Sequence, residues 1–169
     1  MKTLLLGGAR SGKSRIAEIR AASLKKPVIF IATATAGDEE MNARIQHHQK
    51  LRSPDWTLIE EPLNLSQILI EYADADVCLL IDCLTLWVSN LLHSSETLLE
   101  KETKDFIHHL ENSHADVILV SNEVGNGIVP LGELNRKFVD ESGRLHQQLA
   151  QVCEQVSLVV AGLEQKLKG

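Results

Sequence analysis

The chain has 169 residues, 17 basic against 23 acidic side chains for a net charge of −6, and a hydrophobic share of 44%. That length suits a single domain, residues 1–169, with a full core. The acidic balance, without any Lys/Arg run, argues against nucleic acid as the main partner. Cys78, Cys83 and Cys153 form no C-x-x-C pair and are odd in number, as expected of free thiols in a reduced cytoplasm. Residues 1–20 lack signal-peptide character and no apolar run reaches membrane-spanning length, so a cytoplasmic protein is expected.

Lys2–Leu6 reads as a strand and runs into Gly7-Gly8-Ala9-Arg10-Ser11-Gly12-Lys13-Ser14, which satisfies the G-x-x-x-x-G-K-[ST] pattern of a nucleotide-binding P-loop. Ser14–Leu24 reads as the helix that follows. The glycines let the backbone curl so that N–H groups face phosphate oxygens, and the helix N-terminus adds partial positive charge. Lys13 is placed to reach the β- and γ-phosphates, and the Ser14 hydroxyl to ligate Mg²⁺. A nucleoside triphosphate is therefore the expected ligand.

Next comes a second strand, Pro27–Thr33, and then a polar helix, Asp38–Arg52, whose Asp38-Glu39-Glu40 suits a helix N-terminus. It carries His47 and His48. Adjacent helical residues point about 100° apart, so the two cannot face one site. One reading makes them solvated histidines, like the His108-His109 pair further on. The other makes one of them a nucleophile: a neutral imidazole nitrogen attacks an α-phosphate, expels pyrophosphate and leaves a phosphoramidate, with Arg44 or Arg52 balancing charge.

Trp56–Glu61 reads as an edge strand and Leu63–Ala73 as a short helix. Val77–Asp82 is an apolar strand ending in an acid, the Walker-B arrangement, in which the Asp82 carboxylate holds Mg²⁺ or its water shell; an acid at a strand end also suits a turn, and the neighbouring P-loop favours the first reading. Leu84–Leu92 and Glu96–Leu110 are helical, and Asp116–Asn122 is the next strand. The loop Asn122-Glu123-Val124-Gly125-Asn126-Gly127-Ile128-Val129-Pro130 contains G-x-G but lacks the third glycine and the helix start of a dinucleotide fingerprint. A shaped loop that binds substrate or an adjoining subunit is expected instead. Leu134–Cys153 is a long helix with an interruption expected near Gly143, and Val156–Ala161 is the last strand. Arg144 suits either a phosphate contact or a surface ion pair. His93, His114 and His146 have no partners at metal-ligand spacing, so no zinc site is assigned.

Short, continuously apolar strands alternating with helices indicate an α/β fold with a mostly parallel sheet covered by helices on both faces. The P-loop, Thr33, Asp82 and Asn122 all fall at strand ends, the edge where such sheets bind ligands.

Taken together, Gly-Gly-Ala-Arg-Ser-Gly-Lys-Ser (7–14), Ile-Ala-Thr-Ala (31–34), Asp-Glu-Glu-Met (38–41), Arg-Ile-Gln-His-His (44–48), Trp56 with Glu60, Asp82 with Leu84-Thr85-Leu86-Trp87 and Asn90, and the 122–130 loop resemble one family. It is the bifunctional adenosylcobinamide kinase / adenosylcobinamide-phosphate guanylyltransferase family of cobalamin biosynthesis, and the resemblance spans essentially the whole chain. It implies a P-loop NTPase fold of RecA-like type and a homotrimer. It implies two reactions: phosphorylation of adenosylcobinamide by ATP or GTP, then transfer of GMP from GTP to adenosylcobinamide phosphate through a guanylylated histidine. Carried over by motif, that histidine is His47. The nucleotide would lie against Gly7 to Ser14, Thr33, Ala34, Thr35, His48, Gln49, Lys50, Leu51, Glu60 and Asp82. No tightly bound organic cofactor is implied. The chain departs from the family pattern where Asp140 lacks a preceding Arg and where His146 stands before Gln147 in place of the frequent Asn. Two rivals remain from the residues alone: a plain P-loop small-molecule kinase, and a nucleotide-dependent switch, for which the Asn-Lys-x-Asp guanine motif is missing after Asn122.

Overall fold

The computed structural model describes residues 1–34 and 55–169. The elements are β1 (Lys2–Gly7), α1 (Lys13–Ser23), β2 (Val28–Ala32), β3 (Thr57–Glu60), α2 (Leu65–Glu71), β4 (Cys78–Asp82), α3 (Leu84–Ser94), α4 (Glu96–Asn112), β5 (Asp116–Asn122), α5 (Glu133–Val152), β6 (Gln155–Val160) and β7 (Leu163–Lys168). The expected helix Asp38–Arg52, with Thr35, His47, His48, Gln49, Lys50 and Leu51, lies outside the described residues.

The strands form one seven-stranded sheet in the order β3-β2-β4-β5-β1-β6-β7. Every pairing is parallel except β6 with β7, which is antiparallel. Alternation along the central strands divides the core in two. Leu4, Ile29, Ile31, Leu79, Ile81, Val117 and Leu119 face the layer of α2, α3, α4 and α5. Leu5, Val28, Phe30, Leu80, Ile118 and Val120 face the opposite side, where Ala17 and Ala21 of α1 cover them. Strands with both faces buried carry apolar residues on both sides, which is why they lack a period-two pattern in the sequence.

Trp87 anchors the larger layer. It is fully buried, its ring centroid lies 5.0 Å from that of Phe106, and its Nε1–H donates to the Leu63 carbonyl at 2.7 Å. Buried Glu102 of α4 accepts from the Ser66 N–H and hydroxyl, both at 2.8 Å, and so satisfies donors at the start of α2. The Ser95 hydroxyl caps α4 by accepting from the Leu98 N–H at 3.1 Å.

Two expectations change. Helix α5 runs unbroken through Gly143, because its buried stripe of Ser142, Leu145, His146 and Leu149 secures the helix on both sides of the glycine. Strand β7 has no counterpart in the sequence reading. All six of its residues are exposed, so it carries no apolar alternation; the turn at Ala161-Gly162 recruits it to the sheet edge. Both turn residues have positive φ, 53° and 78°, as tight antiparallel hairpins require.

Candidate nucleotide site at the carboxyl edge of the sheet

The carboxyl ends of β3, β2, β4, β5 and β1 open on one rim. Across it, Glu60 aligns with Ala32, Ala32 with Asp82, and Gly7 with Asn122. Strand β5 stands between the strand that feeds the P-loop and the strand that ends in Asp82. Asn122 and Glu123 therefore emerge between the two, and the Glu123 N–H donates to the Gly7 carbonyl at 3.0 Å.

Backbone geometry and internal hydrogen bonds shape the P-loop. Arg10 (φ 56°) and Gly12 (φ 97°) adopt the left-handed conformation, and the Ser11 N–H donates to the Gly8 carbonyl at 3.2 Å. Gly12 is the N-cap of α1 and offers no capping side chain. The first N–H groups of the helix are thus left for an anion. Lys13 is buried, with its Nζ donating to the Gly8 carbonyl at 3.0 Å. Burial holds its pKa below the usual lysine value, and the nearby Asp82 carboxylate opposes that shift. An incoming phosphate would satisfy the same cation. The Ser11 hydroxyl is buried beside Gly7 without a hydrogen-bond partner among the described residues.

Gly7 tolerates no side chain, since a Cβ there would stand 2.5 Å from the Val159 carbonyl and 2.6 Å from the Ser11 hydroxyl. At the other end of the loop, the Gly162 N–H donates to the Ser11 carbonyl at 2.8 Å, and Gly162 Cα packs 3.2 Å from where a Gly12 Cβ would sit. The turn between β6 and β7 thus braces the P-loop from below, a support the sequence reading missed because β7 itself left no signal. The substitution Gly162→Val is expected to cost about 1–2 kcal/mol for its left-handed backbone and to weaken nucleotide binding. Thermal melts with and without nucleotide check both effects.

Thr33 is fully buried. Its hydroxyl donates to the Cys83 carbonyl at 2.7 Å and accepts from the Cys83 N–H at 2.9 Å. It ties the end of β2 to the end of β4 beside Asp82. Asn90 adds a bond from its Nδ2 to the Thr33 carbonyl at 2.9 Å. Ala34 is half-buried, and Glu60 is exposed at the end of edge strand β3. Gly8, Ala9 and Arg10 are exposed at the tip of the P-loop, and Ser14 is half-buried in the first turn of α1.

Mg²⁺ takes hard oxygen ligands and keeps much of its shell as water and substrate phosphate. The Ser14 hydroxyl and the Asp82 carboxylate, both half-buried at this rim, form a donor set of that kind. Among the described residues there is no cluster of three or more His, Cys, Asp or Glu side chains able to hold a metal. Cys83 is buried, and its thiol is pushed up to about 11, chiefly by burial. It is not a nucleophile at neutral pH. Arg144 pairs with Glu141 on the outer surface of α5, which favours the surface ion pair over a phosphate contact.

A P-loop between a strand and a helix, an acid at the end of the strand one removed, and a mostly parallel sheet define a P-loop NTPase fold of RecA-like type. Consistent with this, the RadB recombinase crystal structure superposes with a TM-score of 0.53 at 14% identity, covering 93% of this chain and 73% of that one. The family model for cobinamide kinase / cobinamide phosphate guanyltransferase matches residues 3–167, and the chain belongs to that family. It is 51% identical over its full length to the bifunctional adenosylcobalamin biosynthesis protein CobP of Pseudomonas aeruginosa, of which it covers 98%. It is 37% identical, over 99% of its length and all of the relative's, to the bifunctional adenosylcobalamin biosynthesis protein CobU of Escherichia coli K12. Among the described residues no helix is long and apolar enough to cross a membrane.

Proposed function

We propose that this chain carries out both reactions of its family as one cytoplasmic catalytic unit: it phosphorylates adenosylcobinamide with ATP or GTP, then guanylylates the product through His47. The observation that carries this reading is Lys13 buried in the P-loop within the field of Asp82, in a chain that belongs to this family. In the kinase step the acceptor hydroxyl attacks the γ-phosphorus and the bond to the β-phosphate oxygen breaks. The nucleoside diphosphate leaves and the hydroxyl proton is released.

In the nucleotidyl step an imidazole nitrogen of His47 attacks the α-phosphorus of GTP and pyrophosphate leaves. A phosphate oxygen of adenosylcobinamide phosphate then attacks the same phosphorus, the P–N bond breaks, and adenosylcobinamide-GDP forms with His47 restored. Lys13 and the P-loop N–H groups hold the triphosphate oxygens and stabilise charge as it builds on the leaving group. Ser14 and Asp82 would hold Mg²⁺, which neutralises phosphate charge when bound. Thr33, Ala34, Thr35, His48, Gln49, Lys50, Leu51 and Glu60 complete the guanine-nucleotide site in this reading, Thr33 through its hold on Cys83 beside Asp82. Assembly as a homotrimer belongs to the same reading.

Intact-protein mass after incubation with GTP and Mg²⁺ tests the reading. A GMP adduct that is labile in acid and stable in alkali, as a phosphoramidate is, is expected. Nucleotide binding without an adduct would leave a P-loop kinase alone.

A further inference from the structure

Beneath the 122–130 loop the chain buries a row of polar side chains that the proposed chemistry does not use. The Asn122 N–H donates to Thr85 Oγ1 at 2.6 Å. Thr85 Oγ1 lies 3.2 Å from Ser121 Oγ, and Ser121 Oγ lies 2.7 Å from His146 Nε2. On the other side of the ring, His146 Nδ1 stands 3.8 Å from Glu123 Oε2. The second oxygen of that carboxylate accepts from the Gly125 N–H at 2.6 Å. Three elements, α3, β5 and α5, thus meet at the root of one loop.

Serine, histidine and glutamate in this order look like a nucleophile with its base and orienting acid. Access rules that out. Ser121 is 1% exposed and Thr85 occupies its other side, so no electrophile reaches Oγ. The hydrogen bonds are consistent with a different task. Thr85 Oγ1 accepts from Asn122 and also lies within hydrogen-bonding reach of Cys83, while the Ser121 hydroxyl stands 2.7 Å from His146 Nε2 and is placed to donate to it. With Ser121 donating to Nε2, a neutral imidazole carries its proton on Nδ1, the nitrogen facing Glu123. Burial holds the His146 pKa below the ordinary histidine value, in keeping with the neutral ring.

The loop itself leaves Ile128 99%, Val129 71% and Leu131 98% exposed, at the end of the strand between the P-loop strand and the Asp82 strand. The triphosphate is assigned to the P-loop on one side. The remaining substrate is a large amphipathic acceptor, and an apolar loop at this place is suited to it. We infer that His146 is a positioning residue: through Ser121 and Glu123 it fixes the 122–125 turn and so holds the 122–131 loop in the shape that receives the corrinoid acceptor. This inference rests on the proposed two-step reaction.

The test separates the two halves of nucleotidyl transfer in the full-length protein, with GTP and adenosylcobinamide phosphate as the probes. In His146→Leu the GMP adduct forms from GTP at the wild-type rate, while kcat/KM for the acceptor falls by about 10- to 100-fold, the scale of a small misplacement of a reacting group. His146→Gln puts an amide oxygen where Nε2 accepts from Ser121, and recovers most of the transfer. Glu123→Gln, on a less buried side chain, shows the same acceptor-specific loss and serves if the leucine variant fails to fold. Wild-type acceptor kinetics in Glu123→Gln and His146→Leu overturn the inference. So does a parallel fall in adduct formation and transfer, which marks a merely structural role. Absence of the adduct from wild type would instead defeat the two-step reaction itself.

Discussion

His47→Ala is expected to abolish the GMP adduct and to lower guanylyl transfer to adenosylcobinamide phosphate to about one part in 10³ of wild type or below, the order of loss when a covalent nucleophile is removed. Phosphorylation of adenosylcobinamide should stay within about threefold of wild type, because in that step the acceptor hydroxyl attacks phosphorus directly and no covalent enzyme intermediate is needed. The two activities thus come apart in one variant. Paired assays of phosphate and GMP incorporation, with intact-protein mass as the reporter of the intermediate, check this. An adduct that survives in the variant would shift the nucleophile to its neighbour, His48. Equal loss of both activities would mean that His47 serves the triphosphate rather than the α-phosphorus alone.

Lys13→Ala is expected to do the opposite and lower both reactions together, each by about 10²- to 10³-fold, as when one preorganised charge-stabilising donor is deleted. In the proposed reactions both steps build negative charge on phosphate oxygens held in the same loop, so one cation would serve both. The nucleotide-free protein should lose little. Burial disfavours charged Lys13 and its one described hydrogen bond runs to the Gly8 carbonyl, so stability should stay within about 1 kcal/mol of wild type. Initial rates for the two reactions, alongside thermal melts with and without nucleotide, separate loss of catalysis from loss of fold. In the melts, the stabilisation that added nucleotide gives to wild type should shrink in the variant.

Much of the architecture was written in local pattern. The five strands from Lys2 to Val160 that form the parallel part of the sheet beside edge strand β3 are apolar runs bounded by polar residues. The P-loop glycines and Lys13 declare themselves because phosphate binding needs that spacing in a contiguous segment. Asp82 was legible as a strand-terminal acid for the same reason. The family, too, was readable from motifs in order along the chain, and the family model and full-length relatives agree.

What a linear reading lacked was any feature made by residues far apart. Strand β7 is exposed at every position and gains its place only by pairing with β6, so it carries no periodic signal. The brace from Gly162 to Ser11 joins positions about 150 apart in sequence, and neither glycine nor serine announces a partner. Gly143 looked like a break in the last helix; burial of Leu145, His146 and Leu149 against the sheet outweighs the weak local preference of one glycine. In the sequence His146 stands out only as lacking partners at metal-ligand spacing and as preceding Gln147 in place of the family's frequent Asn. Its contact with Ser121 and its approach to Glu123 exist only once α5 lies across the end of β5. Sequence alone determined the parallel strands and most of the helices that cover them, the phosphate loop and the family, since these depend on residues adjacent in the chain. The tertiary structure decided what braces the loop and what sits beneath its neighbour, since a buried polar atom finds its partner only where packing has excluded water.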